Sequence, residues 1–124
     1  MSTRLSSERV AEYAHGAAAH QAAHDAAVAA RLEQAWVVAR QAAELLKRDF
    51  GAARVWLFGS LLHPQRFHER SDVDLTVEGL DERLYLRAVA RLLDLNPTIP
   101  VDLVELEYAR PELRDAILRE ASEL

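Results

Sequence analysis

Apolar positions recur every three or four residues in the first half of this chain and alternate in the second. Leu32, Trp36, Ala39, Ala43, Leu46 and Phe50 fall at helical spacing, which sets them along one side of a helix. Alanine, the best helix former, fills much of the segment, and no proline occurs between Ser6 and Phe50. The pattern predicts a helix over about 27–49, with Gly51 as its stop. Upstream, Val10, Tyr13, Ala17, Gln21, His24 and Val28 continue a weaker stripe. That stripe belongs either to the same long helix or to a separate one meeting it near Gly16 or His24–Asp25.

Beyond Gly51 the period changes. Arg54–Phe58 reads as a short buried strand ended by Gly59–Ser60. Leu61–Arg70 holds a proline, two histidines and two arginines, and reads as a turn or short helix followed by a loop. Val73–Glu78 is a second strand. Asp81–Leu95 is a helix, with Asp81 as N-cap and Leu84, Ala88, Arg91–Leu92 and Leu95 giving its period. Asn96–Pro97 stops it. Pro100–Leu106 is a third strand, and Pro111–Glu123 a last helix with proline in its first turn. This order implies an α+β domain with a small mixed sheet of about three strands flanked by helices. A long Ala-rich N-terminal helical extension, residues 1–26, precedes a compact domain at 27–124.

Composition narrows the reading only modestly. Half of the 124 residues are hydrophobic, there is no cysteine, and the formal net charge is −5. Disulfides and cysteine-ligated zinc are thereby excluded. The acidic balance argues against a general nucleic-acid coat, so no direct nucleic-acid partner is expected. MSTRLSSERV does not resemble a signal peptide and no run is long enough to span a bilayer, so a cytoplasmic protein without membrane contact is expected.

The second strand, SDVDLTVE, carries the chemistry. Val73, Leu75 and Val77 form one face; Asp72, Asp74 and Thr76 form the other. Residues i and i+2 of a strand lie roughly 6.5–7 Å apart on one face. Unpaired, two such carboxylates repel, and one takes up a proton near neutral pH. A divalent cation removes the conflict, and magnesium binds one or two carboxylates together with water and phosphate. A later V-D-L places Asp102 on the third strand, where a third carboxylate would complete a two-metal site. Gly59–Ser60 follows the first strand directly: glycine allows close approach to the backbone, and the serine hydroxyl can meet phosphate oxygens. Alone, Asp72 and Asp74 read as a solvated strand face, and Ser60 as a helix cap.

Taken together, LFGS, ten residues, SDVDL and a later VDL resemble the minimal nucleotidyltransferase (MNT) family of the DNA-polymerase-β-like superfamily over about residues 30–124. The resemblance implies a nucleotidyltransferase fold, two Mg2+ ions and ATP as substrate. By it, Ser60 contacts the triphosphate, Asp72 and Asp74 hold both metals, and Asp102 holds the catalytic metal and helps activate the acceptor hydroxyl. Many such proteins are antitoxins of HEPN/MNT toxin–antitoxin pairs, and some transfer AMP to a tyrosine of the HEPN toxin. A HEPN-type toxin is therefore the implied partner. Many members carry an Arg-rich spacer after the Gly-Ser; here the spacer reads LLHPQRFHER, and Arg66 and Arg70 are the candidates to serve the triphosphate instead. Two other readings stand beside this one: a non-catalytic antitoxin that acts by docking, and an enzyme acting on a small molecule.

The remaining polar residues carry less. His20 and His24 lie four apart near His15, with no third zinc ligand, and read as surface or interface residues. His63 and His68 lie in the spacer near the triphosphate. Trp36 and Trp56 read as core, and Glu105 and Glu107 as plain surface charge. The Ala-rich extension leaves three readings open, packing on its own domain, pairing with a second copy or docking a partner helix, and because alanine buries little area on its own the last two stand level with the first.

Overall fold

The computed structural model describes residues 7–124; the first residues of the 1–26 extension lie outside them. The upstream stripe belongs to the same long helix, the first of the two alternatives: α1 (Ser7–Phe50) is unbroken. Gly16 interrupts nothing: one glycine costs a helix only about 1 kcal/mol. Gly51 ends α1 at φ +68°, and the Ala52 N–H returns to the Leu46 carbonyl.

The buried face of α1 is Ala35, Val38, Ala39, Ala42, Ala43, Leu45 and Leu46. It is rotated from the stripe read in the sequence, leaving Leu32, Trp36 and Phe50 half-buried at its margins. Trp36 is thus not fully in the core; the Arg40 guanidinium covers its ring, 5.3 Å from the centroid, a cation–π contact that suits a half-exposed indole. From Ser7 to Ala27 every residue is exposed, so this half of α1 projects from the domain.

The strands β1 (Arg54–Phe58), β2 (Val73–Glu78) and β3 (Val101–Glu105) fall where the alternation predicts. A fourth, β4 (Ser122–Glu123), was not foreseen. Its two residues were read as the end of the last helix, but α3 (Pro111–Glu120) stops at Glu120 and the chain turns out to pair with β1. Two residues carry no period, so only the docking of the Leu124 N–H on the Val55 carbonyl reveals them. Among the described residues the sheet therefore has four strands, ordered β3-β2-β1-β4. It is mixed: β1 is antiparallel to β2 and β4, and β2 is parallel to β3. The parallel step needs a crossover, which α2 (Tyr85–Leu93) supplies after a 3₁₀ turn, Glu82–Leu84. Asp81 caps that turn by accepting from the Arg83 N–H at 3.0 Å.

The main core lies between α1, α2 and one face of the sheet. Leu46, Leu57, Val73, Leu75, Val77 and Leu92 are fully buried there, each contributing roughly 1.5–3 kcal/mol. Trp56, Leu106 and Ile117 form a smaller cluster that brings α3 onto β1. Among the described residues, no helix is long and apolar enough to cross a membrane.

Candidate active site

Strand register assembles the site. In the parallel pair Asp74 stands abreast of Asp102, and in the antiparallel pair Phe58 stands abreast of Asp74. The chain leaves β1 through Gly59, which therefore arrives at the flank of Asp74. Gly59 has φ +84°, and a Cβ built on it would lie 2.5 Å from Asp74 Oδ2. Both facts demand glycine, once for conformation and once for space. Asp72 sits one residue ahead of β2 and, by alternation, on the side of Asp74.

The three carboxylates act on one another. Burial pushes the Asp74 carboxyl up to about 6, and the negative charges of Asp102 and then Asp72 add to the rise. None of the three has a hydrogen-bond or ion-pair partner among the described residues. Asp102 is exposed, while Asp72 and Asp74 are partly covered. No trio of His, Cys, Asp or Glu among the described residues closes on one point as a ready-made cage. Magnesium does not require one, since water and substrate phosphate complete its shell. Hard oxygen donors, mutual repulsion and the lack of a protein cation together make a donor set that fits such an ion.

Beside the carboxylates lies a cleft of about 280 Å³. Gly59, Ser60, His63 and Arg66 form one wall, and Leu113, Ile117 and Glu120 of α3 face them. Two 3₁₀ turns, Ser60–Leu62 and Pro64–Arg66, fold the spacer so that these polar groups share the wall. The structure thus brings Arg66 and His63 to the Gly59–Ser60 turn. Arg70 and His68 are not brought there: neither lines the cleft, and the Arg70 N–H donates to His68 Nδ1 within the loop. A wider groove of about 560 Å³ along Arg40, Lys47 and Leu124 lies away from the aspartates and is no part of this site.

A family model described as "Polymerase beta, Nucleotidyltransferase" matches residues 40–124. The chain belongs to that family. Two solved structures carry the likeness into three dimensions. One is a toxin–antitoxin with AMP-PNP, with TM-score 0.55, 25% identity, and coverage of 67% of this chain and 69% of that one. The other is the toxin–antitoxin MntA–HepT, with TM-score 0.53 and 21% identity over 71% of this chain and 69% of that one; at that identity it speaks for the fold alone. No curated protein matches significantly.

Some residues around this candidate site escaped the sequence reading. Arg31 of α1 donates through Nε and Nη2 to the Ser71 carbonyl at 3.3 and 2.9 Å. It is the one charged residue between Asp25 and Glu33 and sits where the buried stripe begins, a signal that could have been used. Thr76, on the aspartate side of β2, is fully buried and its hydroxyl has no partner. The polar face of SDVDLTVE is therefore not a solvated strand face along its whole length. Glu105 is not plain surface charge either: one carboxylate oxygen is buried without a partner, and burial, then Glu107 and Glu82, raise its pKa. Glu107 accepts from the Gly79 N–H at 2.7 Å. The three N-terminal histidines are exposed, and His24 Nδ1 lies 3.8 Å from Glu69.

Proposed function

We propose that this nucleotidyltransferase transfers AMP from ATP to a hydroxyl of a partner protein, with two magnesium ions, and that the partner is a HEPN-type toxin which it neutralises as an antitoxin. The observation that carries the reading is the set of three unpaired carboxylates, two of them abreast on parallel strands, with Gly59 packed on the middle one. The likeness to a toxin–antitoxin with AMP-PNP supports both the adenine nucleotide and the kind of partner.

Magnesium held by Asp72 and Asp74, with Asp102 on one ion, would neutralise the triphosphate and favour loss of the acceptor proton. Asp74 must give up its own proton to serve as a ligand, which its neighbours resist until the ion arrives. Ser60 and Arg66 hold the phosphates against the cleft wall, where a hydroxyl and a guanidinium both donate to phosphate oxygens. The acceptor oxygen attacks the α-phosphorus, the bond from that phosphorus to the bridging oxygen breaks, and pyrophosphate leaves. The proton from the acceptor passes to Asp102, the exposed carboxylate of the three. Repulsion among the carboxylates and burial of the middle one are the features expected where chemistry tunes its groups.

The test is transfer of α-labelled ATP to the co-expressed toxin. Label should appear with magnesium and vanish in Asp72→Asn and Asp74→Asn, each by a factor of at least about 10³, as removing a metal ligand removes most of the stabilisation of transferring charge. Wild-type labelling rates in both variants would sink the mechanism. A toxin silenced without label would favour neutralisation by docking.

A further inference from the structure

We infer that Arg31 is a positioning residue that holds the Asp72 carboxylate at the metal site from the far side of the fold. The inference rests on the reading of Asp72 as a metal ligand. It arises from where Asp72 sits in the backbone. Asp72 lies outside β2, so no ladder hydrogen bond orders it. On one side the Val73 N–H is fixed to the Pro100 carbonyl at 3.0 Å. On the other is the Ser71 carbonyl, which accepts both Arg31 bonds.

That carbonyl belongs to the same planar unit as the Asp72 N–H. Holding the oxygen therefore fixes the peptide plane that leads into Asp72. A guanidinium is suited to the task because its donors form a rigid fork. Ser71 is itself nearly sealed from water, 5% exposed, and its hydroxyl accepts from the His68 N–H at 2.9 Å. Without Arg31 the carbonyl would be left buried and unpaired, and the chain would shift to hydrate it. The neighbouring link between α1 and this loop, His24 to Glu69, is long and exposed and holds little. Arg31 is thus the strap, and α1 is its anchor.

The experiment compares full-length wild type with Arg31→Ala and Arg31→Lys, using Mn2+ as the probe. Mn2+ affinity is read by electron paramagnetic resonance and the Val73 amide by hydrogen exchange. Arg31→Ala should weaken Mn2+ binding about ten-fold and speed Val73 exchange about ten-fold, while the Leu57 and Leu75 amides exchange as in wild type. Arg31→Lys, with one donor in place of a fork, should recover part of both effects. If Arg31→Ala fails to fold, Arg31→Lys alone carries the comparison, with each effect at about three-fold. A folded variant in which either Mn2+ affinity or Val73 exchange stays at the wild-type value overturns the assignment. A wild type that binds Mn2+ yet transfers no AMP would refute the proposed activity and leave this inference standing.

Discussion

Replacing Asp74 by asparagine should make the metal-free protein more stable at neutral pH while abolishing its activity. Folding raises the Asp74 pKa from 3.8 to about 6, so the fold prefers the neutral carboxyl. The favourable contribution of that neutral form is fully present below the ordinary value and is lost as pH rises through about 6. A rise of about two units corresponds to ~3 kcal/mol at 1.36 kcal/mol per unit. The group is only half-buried and water screens its neighbours, so about 1–2 kcal/mol is the expected net effect. Asparagine has the shape of the neutral acid and never ionises. In EDTA at pH 7.5, Asp74→Asn should therefore melt about 3–10 °C above wild type, the range expected from that energy in a domain of this size. At pH 4 the two should melt together. Magnesium should reverse the order, since ligand that binds only the folded wild type adds stability by mass action. Thermal melts at three pH values, with and without magnesium, are sufficient. A variant less stable than wild type in EDTA at pH 7.5, or a gap that does not change with pH, would refute the idea that repulsion and burial shape this carboxylate.

Three further outcomes follow from neighbouring residues. Gly59→Ala puts a methyl against Asp74 Oδ2 at a backbone angle alanine rarely adopts; urea denaturation should show a loss of about 1–3 kcal/mol, and labelled-ATP transfer should fall at least ten-fold. Thr76→Val removes a buried hydroxyl that has no partner and should stabilise the domain by about 1 kcal/mol in the same assay, with transfer unchanged. Deleting residues 1–26 removes a stretch whose described part is wholly exposed; calorimetry should find the remaining domain melting within about 3 °C of the full chain, because little apolar area is lost from its core.

The parts of the fold that repeat were legible before the structure, and those that do not were hidden. β2 and β3 begin by burying alternate side chains, as VDLTVE and VDLVE spell out, and β1 is a short apolar run, RVWLF, buried at Val55, Trp56 and Leu57 in succession. β4 has two residues and no alternation to read. The stripe on α1 was recognised but misplaced by part of a turn, because alanine at 35 and 42 fits any face and only packing shows which is buried. Of the candidate site, Gly59, Asp72 and Asp74 were legible as a set because one turn and one strand period fix their spacing, and Asp102 because V-D-L recurs on a later strand, which the structure sets abreast of Asp74. The Arg31 bond joins residues far apart in the chain, and no local period encodes it. Arg66 and Arg70 look equivalent in the spacer, and both are exposed, but the turn at Pro64–Arg66 places only Arg66 on the cleft wall.

The same comparison shows where this sequence works against its own stability. Over much of the fold, pattern, caps and packing agree: Asp81 caps its turn, Gly51 ends α1, and the inward face of β2 is wholly apolar. On the opposite face of β2 they conflict. Asp74 is half-buried beside two like charges with no cation, and Thr76 is sealed without a partner. A protein under selection for stability alone would remove both with single substitutions, since most routes to a more stable domain are that short. Conflicts between local chemistry and global packing tend to gather at functional sites. Glu105 on β3 carries a further conflict, a carboxylate oxygen buried without a partner, but only at Asp74 do three carboxylates meet beside a glycine whose missing Cβ makes room for one of them, and that meeting is a physical argument for a bound cation independent of any likeness to other proteins. An ion would relieve the Asp74 conflict directly, and it would leave the Thr76 conflict untouched. That difference separates the two residues: the Asp74 conflict is one that a cation answers, whereas Thr76 only shares its strand face.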